Sequence, residues 1–214
     1  MPQEIDGFWG DYADFMPNFC LFDDLFMSVC FNNDPLFTEQ ILRVIMENDD
    51  LRVLEARAQV DLTNLIGRSV RLDVKAKDAE GHPINIEIQR DSSKAIPRRA
   101  RYHSSMLDAV TLKKRQDFKD LPECYVIFIT EHDVLGRKLP IYHIDRVIKE
   151  TSDDFGDGSH ILYVNGENRD NTPLGRLMHD FFCTQAQNMY YNRLAEKVRY
   201  FKETEEGKKQ WLAQ

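Results

Sequence analysis

Apolar side chains recur at intervals of three and four near the start of the chain: Phe19, Phe22, Leu25, Phe26 and Val29, then, past Asn33-Asp34-Pro35, Leu36, Phe37, Ile41, Leu42, Val44 and Ile45. That period lines them along one helix face, so two packed helices are predicted. Asn48-Asp49-Asp50 ends the pattern, and Leu51 to Gln59 alternates weakly, as a strand would. Alternation is clear in Val70-Arg-Leu-Asp-Val-Lys-Ala76 and again in Ile84-Asn-Ile-Glu-Ile-Gln89, with Asp78 to Pro83 between them as a turn in which Gly81 can take a positive φ. This is a β-hairpin. With Lys77 facing Pro83, antiparallel register sets Lys75 against Asn85, Asp73 against Glu87 and Arg71 against Gln89 on a polar face. Val70, Leu72, Val74 and Ala76 then share the other face with Ile84, Ile86 and Ile88, toward the core.

From Ile96-Pro97 to about Arg115 an amphipathic helix is predicted, with Ile96, Ala100, Met106, Leu107 and Val110 on its apolar side. Cys124 to Thr130 is a continuous apolar run of the kind found in strands buried on both faces. Hairpin, crossover helix and buried strand imply an α/β core with a mixed sheet, to which Leu139 to Ile144 and Ile161 to Asn165 add strands on either side of an acidic loop. Thr172-Pro173 opens a helix that should run to roughly Lys202, after which the charged tail should fray. The chain thus divides into a helical segment over residues 1–50, packed on a sheet core over 51–170, and a helical extension over 171–214.

A chain of 214 residues, 42% hydrophobic and 30% charged, can bury a core without staples and is neither low-complexity nor disordered. The longest apolar stretch, Cys124 to Ile129, is far short of the roughly 20 residues of a membrane span, and the N-terminus has no signal-peptide pattern, so a cytoplasmic location is expected. Four separated cysteines form no C-x-x-C. The six histidines show no metal-ligand spacing, and phosphate-loop, nucleophile-elbow and dinucleotide motifs do not occur. Net charge is −8, yet Gln89 to Lys119 carries nine Lys or Arg against three Asp. That segment is either a face for a polyanion or a solvated helix face.

Carboxylates directly opposite on an antiparallel pair lie about 5 Å apart and repel. Between Asp73 and Glu87 a divalent cation, Mg²⁺ or Mn²⁺, would relieve this; alternatively Arg71 and Lys75 neutralise both acids diagonally. Gln89 lies on the same face, where its amide could orient a water or a phosphate oxygen. Glu55 is a weaker candidate for a third acid.

Arg71-Leu-Asp73, Asp78-x-x-Gly81, Asn85-Ile-Glu87-Ile-Gln89, Arg98 to Asp108 and Tyr125 to Ile129 together resemble the PD-(D/E)XK nuclease family transposases, or recombination-promoting nucleases, over roughly residues 20 to 200. The resemblance implies a restriction-endonuclease-like core, metal-dependent cleavage of DNA, Asp73 and Glu87 as metal ligands, and a metal contact from the Ile88 carbonyl. Gln89 stands where the superfamily usually has Lys. Lys75 or Lys94 could supply the missing charge. The expected function is a Mg²⁺-dependent DNA endonuclease of mobile-element type, with Asp73, Glu87 and Gln89 catalytic and with Lys94, Arg98 and Arg101 on the DNA backbone. Arg99 should point away. The alternative is a catalytically weak, nuclease-derived DNA-binding protein. A double-strand cutter with one site per chain would be expected to form a homodimer.

Overall fold

A computed structural model describes residues 15–213. The start of the expected N-terminal segment, residues 1–14, and Gln214 lie outside the described residues. Helices α1 (Asp24–Phe31) and α2 (Pro35–Ile45) precede strands β1 (Val53–Leu62), β2 (Val70–Asp78) and β3 (Pro83–Gln89). Helix α3 (Pro97–Thr111) leads to β4 (Cys124–Thr130), β5 (Ile141–Ile144) and β6 (Ser159–Asn165), and α4 (Pro173–Phe182), α5 (Asn192–Glu203) and α6 (Glu205–Leu212) follow. The six strands form one mixed sheet in the order β1-β2-β3-β4-β6-β5, with β3, β4 and β6 parallel and the remaining pairs antiparallel.

One face of the sheet packs on α1, α2, α4, α5 and α6 through Ile84, Ile86, Ile88, Ile127, Ile129 and Val164. On the other, α3 packs Ala100, Met106 and Leu107 against Val126, Phe128 and Tyr163. The polar side of β3 therefore lies under α3, not in water, and all seven residues of β3 are buried. A solvated hairpin is excluded.

The hairpin register is the expected one: Lys77 pairs Pro83, Ala76 pairs Ile84, Lys75 pairs Asn85 and Val74 pairs Ile86. The ladder then stops, one residue short of Asp73 and Glu87. On the other edge of β2, Ala58 pairs Val74 and Val60 pairs Leu72, leaving Gln59 at the Asp73 position with φ 53°. This left-handed residue marks a local distortion of β1 beside Asp73. The apolar residues divide at this point: Val74 and Ala76 join the core under α1 and α2, whereas Leu72 and Leu62 join the one under α3. The expectation that Val70, Leu72, Val74 and Ala76 share one core face is corrected accordingly.

Three helical expectations change as well. Helix α3 ends at Thr111, with Arg115 at φ 78°, and Ile96 and Val110 are exposed. The helix expected from Pro173 to Lys202 is interrupted between α4 and α5, because the buried Asp180 carboxylate accepts the backbone N–H groups of Tyr190 and Tyr191 and draws the chain back. The charged tail does not fray: Thr204 caps α6 by accepting from the Gly207 N–H, and Trp211 packs on Phe19 and Phe26.

Candidate functional site

Where the ladder stops, side chains replace backbone partners. The Ile88 N–H donates to Asp73 Oδ2 at 2.9 Å, and Gln89 Nε2 donates to the same oxygen at 2.9 Å. The Asp73 N–H approaches Glu87 Oε1 at 3.4 Å. A strand residue's N–H and C=O leave on the same edge, so the Ile88 carbonyl also heads toward β2 and Asp73. Asp73, Glu87, Ile88 and Gln89 thus converge on one locus, through a break in the sheet and not through a regular cross-strand pair.

Burial and the Glu87 charge push the Asp73 carboxyl up to about 7, against the pull of the Ile88 N–H and of Arg99. Asp24, at the start of α1, adds to the upward push and lines the same cleft of about 670 Å³ as Asp73. No hydrogen bond reaches Asp73 Oδ1 among the described residues. Two carboxylates, an amide oxygen and a backbone carbonyl are hard oxygen donors, so the residues present fit a divalent cation.

Glu87 is 0% exposed and its carboxylate is fully engaged. Arg99 Nη2 lies 2.6 Å from Oε2, while Asn85 Nδ2 and His103 Nδ1 lie 3.0 and 3.2 Å from Oε1. Arg99 Nη1 also reaches Gln89 Oε1 at 3.5 Å and the Lys94 carbonyl at 3.1 Å, and its Nε donates to His103 Nε2 at 3.4 Å. The expectation that Arg99 points away is wrong; it is the cation at the site. Arg99 and His103 are one helical turn apart on α3, flanking the buried Ala100, so both face the sheet. That spacing was the available signal, a polar pair set into the core stripe of the helix.

The other proposed sources of charge sit elsewhere. Lys75 lines a separate depression with Glu55, Arg57, Lys77 and Lys113, which also removes Glu55 as a third acid. Lys94 is exposed at the rim of a second cleft, of about 720 Å³, whose lining includes Arg68, Arg71, Arg98, Arg99 and Tyr102. That lining carries no acid, whereas Arg101 is exposed outside it. Arg68, at the end of the β1–β2 connection, and Arg71, at the start of β2, were not among the expected DNA contacts.

Two further groups could in principle hold a metal ion, Asp78 with Glu80 and His82 at the hairpin turn, and His179 with Asp180 and Cys183 at the end of α4. In each group the buried acid is already engaged: Asp78 accepts from the His82 N–H, and Asp180 from the N–H groups of Tyr190 and Tyr191.

No curated protein and no solved structure matches the chain. No described helix is long and apolar enough to cross a membrane. The family model of the PD-(D/E)XK nuclease family transposases matches residues 39–173, a span that runs from α2 to the start of α4 and holds all six described strands and the groups around Glu87. This chain belongs to the PD-(D/E)XK nuclease family transposases, a family that points to a nuclease.

Proposed function

We propose that the chain is a divalent-metal-dependent DNA endonuclease of mobile-element or recombination-promoting type. The observation that carries this reading is the convergence of Asp73, Glu87 and Gln89, with Arg99 reaching Glu87 and Gln89 from the lining of a cleft that also holds Arg68, Arg71, Lys94 and Arg98. Asp73, Glu87 and the Ile88 carbonyl would hold Mg²⁺ or Mn²⁺. Bound there, the ion supplies a Lewis acid for the scissile phosphate and lowers the pKa of a water.

The chain's own residues do the rest. Gln89 takes the motif Lys position and carries no charge, so it orients by hydrogen bonding. Arg99 brings a fixed positive charge to the same place from α3 and is the group able to face a developing phosphate charge. His103 and Asn85 hold the Glu87 carboxylate from behind. Lys94 and Arg98 position the DNA backbone along the cleft, with Arg101 further out on the same helix.

The test is cleavage of supercoiled plasmid with Mg²⁺, with Mn²⁺ and with EDTA, by the native chain and by Asp73→Ala. Metal-dependent nicking or linearisation that Asp73→Ala abolishes is expected, and a homodimer is expected if linear product appears without a nicked precursor. A second reading, a DNA-binding protein that cleaves weakly or not at all, is favoured by one feature: both Glu87 oxygens are already engaged by protein donors. Tight duplex binding without turnover in either metal would select it.

A further inference from the structure

The connection between β1 and β2 carries two aliphatic side chains that the fold leaves outside. Leu65 is 94% exposed and Ile66 100% exposed, next to each other. The loop is nonetheless pinned in place. The Asn64 N–H donates to Ser69 Oγ, Asn64 Oδ1 accepts the Ile66 N–H, and Asn64 Nδ2 reaches the Tyr102 hydroxyl on α3, which itself donates to the Arg68 carbonyl. Gly67 permits the tight turn, since a Cβ there would press on the Asn64 amide. A loop tied at its base while its two apolar tips stand in water loses hydrophobic stabilisation for nothing in the isolated chain, which is the mark of a surface with a partner.

The surroundings say what that partner is. Arg68 and Tyr102, which anchor the loop, line the basic cleft together with Lys94 and Arg98. None of Arg68, Lys94 and Arg98 is in an ion pair among the described residues. An apolar tip beside unpaired cations matches a polyanion whose interior is stacked and apolar. Resting on the DNA reading above, we infer that Leu65 and Ile66 form a wedge that enters a base step of duplex DNA held by that cleft, distorting it beside the cleavage site. Apolar side chains inserted this way unstack a step and are favoured at deformable or mispaired positions.

The experiment uses the full chain in EDTA, where binding is separated from cleavage, with a short duplex carrying 2-aminopurine at a central TA step and a companion duplex mismatched there. The native chain is expected to raise 2-aminopurine fluorescence and to prefer the mismatch. Leu65→Ser combined with Ile66→Ser should abolish both effects and weaken binding about tenfold with an unchanged salt slope. Arg68→Ala should instead keep the fluorescence change and flatten the slope of log K against log salt by about 0.9. Both substituted positions of the wedge are solvent-exposed, so folding is not at stake. Native-like fluorescence and affinity in the double variant would overturn the wedge. So would a shift from dimer to monomer in sedimentation with DNA binding unchanged, which would assign the loop to a second copy of the chain. A native chain that binds duplex with a steep salt slope but no fluorescence change rejects the wedge alone, whereas one that binds no duplex rejects the DNA reading itself.

Discussion

At Asp73 the protein holds an acid in an environment that disfavours its charge. A folded-state value of about 7, against about 4 for an unfolded chain, means the native state binds the proton more tightly. The metal-free protein should therefore lose stability as pH rises from about 4 through 7 and show the full penalty above that window. Asp73→Asn should flatten this dependence, and Mg²⁺ should raise the melting temperature more at pH 8 than at pH 5, both measurable by thermal scans. Glu87 is the opposite case. Its carboxylate anchors Arg99, Asn85 and His103, so Glu87→Ala strands buried donors, and the simple expectation that losing either acid relieves repulsion holds for Asp73 only. Arg99→Ala should cost about 3 kcal/mol in urea unfolding, and Glu87→Gln in the same chain should recover much of it, because the cost lies in the buried charge left alone.

Among the elements, α6 shows how a polar-looking tail is held. Half of its residues are charged, and its order depends on Trp211 between Phe19 and Phe26 and on Gly207, where a Cβ would overlap the Tyr200 carbonyl at the end of α5. Trp211→Ala should lower stability by about 3 kcal/mol in denaturant titration. Thr204→Ala, which removes the cap on α6 and the hydroxyl's bond to the Tyr200 carbonyl, should lower it by about 1 kcal/mol. Because Trp211 and Leu212 line the cleft that holds Asp73, loss of this helix would also open that side of the site. Proteolysis of the tail is expected to follow the Trp211 substitution and to precede loss of the sheet.

For the molecule as a whole, a net charge of −8 and a nuclease fold are reconciled by segregation. Lys94, Arg98, Arg68 and Arg99 gather on one cleft at the edge of the sheet. Lys94→Ala and Arg98→Ala should each flatten the salt dependence of duplex binding by about 0.9 and weaken all sequences alike. Arg101→Ala, outside the cleft lining, should change it less. Arg99→Ala should leave the salt slope nearly intact and remove cleavage, since its charge is committed to Glu87 and Gln89. Anisotropy titrations across salt, paired with plasmid cleavage, separate these roles.

Local pattern was enough for the hairpin, its register from Val74 to Lys77 and the apolar β4 strand, and it set Asp73, Glu87 and Gln89 near one another, because period-two alternation and turn chemistry act over a few residues. The resemblance named the family on the same residues. Tertiary contact decided the rest. That α3 covers the polar face of β3, so that Glu87 is dry, follows from how the crossover packs on the sheet. The break in the ladder at Asp73, the division of the apolar residues beside Gln59 and the turning of Arg99 into the site each depend on groups distant in sequence that meet only after the sheet has formed. Sequence spacing fixes which residues share an element, but a buried charge selects its partner from whatever the folded chain places within reach, and that choice is made in three dimensions.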